Sequence, residues 1–340
     1  MGALFATEGI NGQVIVYSRY CPFKPIKIAV IGAGNVGAST AYSLMLDGLA
    51  AEIVIIDVNH AKAEGEAMDI THAVPLSPSG QTRVYAGGYR DLYDAAVVVV
   101  TAGVNQKPGQ TRLDLVHANA AIYRTIIPEV AHHAPRTVLL IATNPVDVCT
   151  YLAYKLSGFP AHRVLGSGTV LDSARLQTEL GAMFDVNPAS VHAFVVGEHG
   201  DSEVVPWSLA SIQGMRLPEF CRGADLPYDA DALRAAAART RTAAYEIIKR
   251  KGATDFAIAA ALTSIVRAVV RSEDSLLTVS RVGSYAGVDD VCLSVPARVN
   301  SKGARTISTL VLEPDEEEAL RNSALRIKEA IESLGDLLQT

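Results

Sequence analysis

The sequence predicts an α/β protein in which a doubly wound parallel sheet is followed by a domain of α+β structure. Short apolar strands alternate with helical segments over residues 27 to 147, as in a parallel sheet with helices on both faces. A glycine-rich turn links the first strand to the first helix, whereas the second half has helices followed by three strand-like runs. We therefore expect an N-terminal extension over residues 1–25, a first domain over 26–148 and a second over 149–336.

The first strand, at residues 27–31, leads directly into a glycine motif. Gly32, Gly34 and Gly37 match the pattern G-x-G-x-x-G. In such a turn the first glycine makes the tight bend, the second lets the backbone approach a pyrophosphate, and the third lets the helix lie close to the strand. The following helix directs its N-terminus at the phosphates.

The second strand ends in a carboxylate. Asp57 lies 20 residues past Gly37, where it can accept hydrogen bonds from both hydroxyls of an adenosine ribose. It would also repel a 2′-phosphate, and no arginine follows it. A plain glycine turn is the alternative, but strand, helix and carboxylate stand in the right register. The sequence therefore predicts a dinucleotide site for NAD rather than NADP.

Further elements follow from hydrophobic periodicity and turn residues. In the first half we expect strands at residues 52–57, 83–86, 97–101 and 137–142, and helices at 35–47, 60–72 and 113–133. In the second half we expect helices at 170–184, 231–251 and 255–271, and strands at 191–196, 276–282, 291–299 and 305–312. We also expect a closing helix that begins at Pro314, because acidic residues in its first turn would interact favourably with the helix dipole. Together with the strand at residues 27–31, the first set predicts a doubly wound Rossmann sheet, whose ligand lies at the carboxyl ends of the strands.

Composition excludes several classes of partner. The chain has 340 residues, of which 49% are hydrophobic and 19% charged, with a net charge of −6. Such a chain can bury a large core, and it offers no basic face to nucleic acid or anionic lipid. No apolar run reaches the length of a membrane span. We expect no nucleic-acid partner and no membrane association.

The four cysteines lie far apart and form no C-x-x-C pair. We therefore expect no metal site and no disulfide framework. Charged residues interrupt the apolar N-terminus, which does not fit a secretory signal. The expected location is the cytoplasm.

Two strand ends carry loops with unusual composition. Residues 101–112 contain two glycines, a proline and two cations, so this loop could be a hinged lid or a plain surface connection. Asn144 follows the strand at 137–142, where its amide could reach a ligand. An Asn-Pro pair is also a common entry to a helix.

His199 lies in a glycine-flanked loop after an apolar strand, and Asp172 and Arg175 lie three residues apart on one helix. At this spacing the two side chains share a helix face. An aspartate paired to imidazole fixes its tautomer, while arginine offers a planar fork to a carboxylate. From spacing alone, a solvated histidine and a surface ion pair remain alternatives.

Together the motifs resemble the bacterial type of L-lactate dehydrogenase, in the lactate/malate dehydrogenase superfamily. They occur in the family's order and extend over roughly residues 27 to 334. The matching segments are residues 32–37, Asp57, 105–115, 142–146, 166–175, 197–203 and 293–296.

The resemblance implies a role for each matching residue in the reversible reduction of pyruvate to L-lactate by NADH. His199 is the proton donor and acceptor, Asp172 its orienting carboxylate, and Arg175 the clamp for the substrate carboxylate. Arg112 is the loop arginine that polarises the carbonyl, and Thr254 lies in the substrate pocket. The implied cofactor contacts are Gly32, Gly34, Val36, Gly37, Asp57, Thr101, Gly103 and Asn144, of which Asn144 also touches the substrate.

Two other functions compete with this one. A malate dehydrogenase of the same scaffold needs an arginine at the loop position that here resembles Gln106, because oxaloacetate carries a second carboxylate. Glu198 and Thr254 also resemble the lactate branch. A non-catalytic NAD-binding protein would have lost a member of the catalytic set, yet His199, Asp172, Arg175 and Arg112 are present.

The family further implies self-association as a homotetramer. Many bacterial members are activated by fructose 1,6-bisphosphate, which an arginine and a histidine from each of two subunits hold. Here the histidine position is His192, but the arginine position is Gln177. Because the amide brings no charge, we expect little activation at neutral pH.

Overall fold

A computed structural model of the protein describes residues 5–8, 14–17, 25–104 and 112–335, with side chains over residues 25–104 and 115–335. Two short strands precede the main body, β1 (Phe5–Glu8) and β2 (Val14–Tyr17), and pair as an antiparallel hairpin.

The centre of the molecule is a parallel sheet of six strands in the order β8-β7-β6-β3-β4-β5. These strands are β3 (Lys27–Ile31), β4 (Glu52–Ile56), β5 (Arg83–Ala86), β6 (Val97–Val100), β7 (Val138–Ile141) and β8 (Val164–Gly166). The order reverses between β3 and β6, which defines a doubly wound sheet. The predicted fold class is confirmed.

Helices cover both faces of this sheet. They are α1 (Asn35–Leu46), α2 (His60–Ala73), α3 (Arg112–His133) and α4 (Val146–Ser157). Alternate residues of a strand point to opposite faces. Accordingly Ile28 and Val30 pack in one core with Leu44 of α1, whereas Ala29 packs in another with Tyr123 of α3.

The sequence analysis did not place α4 or β8. Strand β8 has three residues, too few to produce a hydrophobic period, and α4 begins at the Asn-Pro pair that offered two interpretations. Strand β8 joins the parallel sheet by pairing with β7, and α4 packs against one face of that sheet. The division into domains at residue 148 stays a prediction.

The second half adds helices and two groups of antiparallel strands. The helices are α5 (Val170–Met183), α6 (Leu217–Gly223), α7 (Ala230–Lys251), α8 (Phe256–Val270) and α9 (Pro314–Glu332). Strands β9 (Val191–His192), β10 (Ser211–Ile212) and β11 (Met215–Arg216) form a small sheet. Strands β12 (Ser275–Tyr285), β13 (Val288–Asn300) and β14 (Gly303–Arg305) extend the central sheet to nine strands, through pairing of Ser280 with Gly166.

Two predicted strands were too long. The strand expected at 191–196 ends at His192, because Val196 pairs instead with Val204 in an isolated bridge that closes a loop. Of the strand expected at 305–312, only Arg305 lies in a strand, as the last residue of β14 (Gly303–Arg305). A run of apolar residues without a neighbouring strand to pair with does not become a strand.

Helix α8 connects the two halves through its contact with α1. Arg267 Nε donates to Asp47 Oδ2 at 2.7 Å, and Thr263 Oγ1 donates to Ser43 Oγ at 2.8 Å. Leu262 of α8 belongs to the same buried core as Leu44 of α1. Within the described ranges, no helix combines the length and apolarity needed to cross a membrane.

The close packing of α1 on β3 provides a test of the fold. A Cβ atom added to Gly37 would lie 1.8 Å from the carbonyl oxygen of Gly32, whereas a Cβ added to Gly34 meets no atom within 4 Å. We predict that Gly37→Ala lowers the free energy of unfolding by about 3 kcal/mol through overpacking. Gly34→Ala, the matched control, should lower it by less than about 1 kcal/mol. Urea unfolding followed by circular dichroism measures both, and equal losses would contradict the packing argument.

Candidate active site

The glycine turn forms an open cradle at the carboxyl end of β3. Gly32 has a φ of +108°, which favours glycine, and its N–H donates to the carbonyl of Ile56 at 2.7 Å. Gly34 is exposed, and the space where its side chain would stand is empty. A phosphate can therefore approach the N-terminus of α1, where backbone N–H groups point outward. Val36, in the first turn of α1, is half-buried beside it.

Asp57 lies beside this cradle at the end of β4. Its Oδ2 accepts from the N–H of Ala33 at 2.6 Å, and its Oδ1 accepts from the N–H of Asn59 at 2.8 Å. These bonds fix the carboxylate next to the glycine turn. A carboxylate oxygen has two lone pairs, so the group can still accept from ribose hydroxyls. Cradle and carboxylate together fit the adenosine and pyrophosphate of NAD.

The ends of β6 and β7 continue the same edge of the sheet. Thr101 Oγ1 donates to the carbonyl of Gly32 at 3.0 Å. A Cβ on Gly103 would lie 2.3 Å from Thr143 Cγ2, so only glycine fits there. Thr101 therefore holds the loop after β6 against the cradle, and Gly103 lets this loop lie close to the loop after β7.

A buried asparagine that the sequence analysis missed holds these loops together. Asn119 of α3 is fully buried. Its Oδ1 accepts from the N–H of Val104 at 2.8 Å, and its Nδ2 donates to the carbonyl of Asn144 at 2.8 Å. The side chain of Asn144 is exposed at this edge. The available signal was a polar residue on an otherwise apolar face of α3.

His199, Asp172 and Arg175 meet in the second half of the chain. His199 Nδ1 lies 2.6 Å from Asp172 Oδ2, and Arg175 Nη1 donates to Asp172 Oδ1 at 2.9 Å. Asp172 is 2% exposed, whereas the side chains of Arg175 and His199 are 13% and 24% exposed. The carboxylate is thus enclosed, and its two partners reach toward solvent.

Local hydrogen bonds place α5 against the segment that carries His199. Thr169 Oγ1, at the start of α5, donates to the carbonyl of Val195 at 2.5 Å. The N–H of Val195 in turn donates to Ser173 Oγ at 2.9 Å. Because both hydroxyls are buried, these bonds set the distance between Asp172 and the histidine loop.

Asp147 anchors the histidine loop from the other side. Its Oδ2 accepts from the backbone N–H of His199 at 2.8 Å, and Ser280 Oγ of β12 donates to its Oδ1. The loop is closed at its base by the bridge between Val196 and Val204. The sequence analysis gave Asp147 no role, and its only signal was a carboxylate within an apolar helix.

The electrostatics of this cluster favour a charged imidazole. Burial lowers the pKa of His199, but the carboxylates of Asp172 and Asp147 outweigh this effect and raise the pKa to about 9. Burial raises the pKa of Asp172, but the charges of His199 and Arg175 lower it by more, so its pKa lies below the ordinary value. The pair is therefore an imidazolium and a carboxylate at neutral pH.

The other residues singled out from the sequence lie outside the cluster of His199, Asp172 and Arg175. Thr254 is half-buried in the turn between α7 and α8. Gln177 Nε2 donates to the carbonyl of Ala193 at 3.1 Å, next to the exposed His192. Gln106 lies outside the described residues, as does the side chain of Arg112, the first residue of α3. The weak response to fructose 1,6-bisphosphate stays a prediction.

Comparison with known proteins places this geometry in a family. Residues 26–166 match the NAD binding domain of lactate/malate dehydrogenases, and residues 169–337 match their alpha/beta C-terminal domain. A protein of Schizosaccharomyces pombe described as a probable L-lactate dehydrogenase is 52% identical, over 93% of this chain and 96% of its own length. The L-lactate dehydrogenase of Moorella thermoacetica is 47% identical, over 91% of this chain and 98% of its own length.

Solved structures give the same result. The crystal structure of a minor L-lactate dehydrogenase from Enterococcus mundtii superposes with a TM-score of 0.88 at 40% identity, and the match covers 91% of this chain and 98% of that one. A lactate dehydrogenase from a deep-sea metagenome library also gives a TM-score of 0.88, at 38% identity, over 92% of this chain and 99% of that one. The chain belongs to the lactate/malate dehydrogenase family.

Proposed function

We propose that the protein is an NAD-dependent L-lactate dehydrogenase that reversibly reduces pyruvate to L-lactate. The observation that carries this proposal is the cluster of His199, Asp172 and Arg175, with contacts of 2.6 and 2.9 Å. It combines a charged proton donor with a cation suited to a carboxylate. A 2-oxo acid presents a carbonyl next to a carboxylate, and so matches both groups at once.

Arg175 binds and orients the substrate in this mechanism. A guanidinium has five N–H donors in a planar fork, so Arg175 can hold Asp172 and a substrate carboxylate together. Fixing the carboxylate aligns the neighbouring carbonyl with the imidazole. We assign Thr254 to the substrate pocket and Arg112 to polarisation of the carbonyl, both by similarity to the family.

His199 supplies the proton. Because Nδ1 lies against Asp172, Nε2 is the nitrogen that donates to the substrate oxygen. When bound, NADH supplies the hydride for the carbonyl carbon. Asp172 keeps the imidazole charged until the proton is transferred, and Asp147 holds the loop in place through the N–H of His199.

The cofactor would lie along the edge of the parallel sheet. The cradle at Gly32 and Gly34 would receive the pyrophosphate, and Asp57 would bind the adenosine ribose and select NAD over NADP. We assign the remaining contacts to Val36, Gly37, Thr101, Gly103 and Asn144.

We propose a cytoplasmic location and self-association as a homotetramer. Three described cysteines, Cys149, Cys221 and Cys292, are free and buried, as suits a reducing compartment. Large apolar side chains are exposed on neighbouring helices: Tyr245 is 63% exposed, Ile248 46% and Phe256 74%. Apolar surface of this kind marks interaction sites.

The rate of pyruvate reduction at saturating substrate should depend on the fraction of His199 that is protonated. Because the pKa of this residue is raised to about 9, kcat should stay level between pH 6 and 8 and fall only above about 9. Asp172→Asn removes the main charge that holds the proton on His199. The pH at which kcat falls should therefore move toward the ordinary histidine pKa near 6.5, and kcat at pH 8 should be more than about tenfold lower than in the wild type. Stopped-flow and steady-state NADH absorbance measure this effect, and NADH fluorescence checks that cofactor binding remains. An unchanged kcat profile in the variant would remove Asp172 from this role.

Substrate choice is tested with pyruvate and oxaloacetate in parallel. Steady-state NADH oxidation should show a higher kcat/KM for pyruvate in the wild type. Gln106→Arg supplies a cation for the second carboxylate of oxaloacetate, which should move the ratio toward oxaloacetate by at least about tenfold. Gln106→Lys is a control for charge without the planar fork. A wild type that prefers oxaloacetate would favour malate dehydrogenase, and one that oxidises NADH with neither acid would favour a non-catalytic protein.

Assembly is tested by light scattering. At micromolar concentration the wild type should have four times the mass of the 36.0 kDa chain. The double variant Tyr245→Asp and Ile248→Asp places two charges on the exposed face of α7 and should lower this mass, since a buried unpaired charge is unfavourable. Circular dichroism checks that the variant remains folded. A monomeric wild type would contradict the proposal.

A further inference from the structure

A small pocket lies between the antiparallel strands and the closing helix. It has a volume of about 240 Å³, and it is bounded by β12, β13, the segment 306–312 and the first turns of α9. None of its described lining residues belongs to the cofactor cradle or to the cluster at His199. Sites for drug-sized ligands measure roughly 300 to 1,000 Å³, so this pocket suits a smaller molecule.

The pocket is lined in large part by apolar side chains. The hydroxyl of Tyr285 donates to the backbone carbonyl of Arg281 at 2.9 Å, so the ring that forms part of the wall is held in place without a ligand. A hydrocarbon chain that enters the pocket leaves water, which favours binding, and a wall that is already formed lowers the entropic cost. The main apolar lining residues are Tyr285, Val295, Pro296, Leu310, Leu312 and Leu320.

Arg281 adds a cation to this apolar lining. Its Nη1 donates to Thr306 Oγ1, which also lines the pocket. Its Nε is buried, and within the described part of the chain this atom has no hydrogen-bond partner. A buried donor without a partner is unfavourable, so a ligand oxygen that accepts from Nε would be stabilised there. A carboxylate is a good match, because hydrogen bonds between a guanidinium and a carboxylate are assisted by both charges.

The charges around the pocket also favour an anion. Burial lowers the pKa of the His162 imidazole, and three arginines lower it further: Arg305, Arg163 and Arg281. These cations therefore produce a positive potential at this end of β12. Glu317, the carboxylate among the described lining residues, is exposed, so water and salt screen its charge.

We propose that this pocket is a second ligand site, which binds a small aliphatic monocarboxylate through Arg281. The carboxylate accepts from Arg281 Nε, and the hydrocarbon chain packs against Val295, Leu312 and Leu320. An inorganic anion such as phosphate would lose its hydration against the apolar wall and would gain no apolar contact in return. The ligand is therefore distinct from pyruvate in size, and its site is separate from Arg175.

The test is isothermal titration calorimetry with octanoate on the wild type. NADH and oxamate are present throughout, so that Arg175 is not open to octanoate. One octanoate should bind per chain, with a Kd below about 1 mM. Acetate lacks the hydrocarbon chain and octanamide lacks the charge, so each should bind at least about tenfold more weakly than octanoate.

Two variants locate the site, and a third is a matched control. Arg281→Met keeps an unbranched side chain but removes the cation, and it should weaken octanoate binding at least about tenfold. Ser308→Trp places a large ring at an exposed lining residue, and it should weaken binding at least about tenfold by filling the pocket. Arg239→Met also removes one cation, but from an ion pair of 2.7 Å with Glu179. This control should bind octanoate within about twofold of the wild type.

Several results would overturn the inference. Failure of the wild type to bind octanoate is one, and binding of acetate or octanamide as tight as that of octanoate is another. Unchanged octanoate binding in Arg281→Met or in Ser308→Trp would also exclude the pocket. If Arg281→Met does not fold, as judged by circular dichroism, Ser308→Trp decides the matter. A loss of binding in Arg239→Met as large as in Arg281→Met would show an effect of net charge, which would equally exclude a specific site.

Discussion

The arrangement of the active site depends on one buried anion, the carboxylate of Asp172. A buried charge without partners is strongly unfavourable, so a folded state that encloses Asp172 must also supply cations. Arg175 lies one turn along the same helix and meets this demand locally, at 2.9 Å. His199 comes from a separate loop and must be brought to the helix by tertiary structure, at 2.6 Å. The two cations that satisfy Asp172 are also the groups that a 2-oxo acid requires.

Bringing the loop to the helix involves several buried hydroxyls and a second carboxylate. Thr169 and Ser173 bind the chain at Val195, just before the loop. Asp147 holds the N–H of His199, and Ser280 holds Asp147. Each of these polar groups is hydrogen-bonded to a neighbouring protein group, so protein contacts rather than water molecules hold the loop in place. A site of this kind keeps its geometry while the substrate enters and leaves.

The features that could be predicted from the sequence are those that depend on residues close together along the chain. The turn at Gly32, the carboxylate of Asp57 and the shared face of Asp172 and Arg175 are local features, readable from spacing within one strand or helix. The roles of Asn119 and Asp147 depend on partners 25 and 52 residues away. No local pattern marks such contacts. In the same way β8 has three residues and becomes a strand only because β7 and β12 flank it.

The contact between α1 and α8 has a consequence for how the chain unfolds. Leu262, Ile265 and Val266 of α8 share a buried core with Ile28 and Val30 of β3, so a helix from the second half covers a face of the sheet built by the first. Truncation before α8 would expose this apolar face to water and leave the chain prone to aggregate. The second half also has a buried core of its own, around Leu176, Leu180 and Val195, so the core shared with the first half is the part that must open when the two halves separate. The two sequence segments therefore depend on each other for the apolar face that they share.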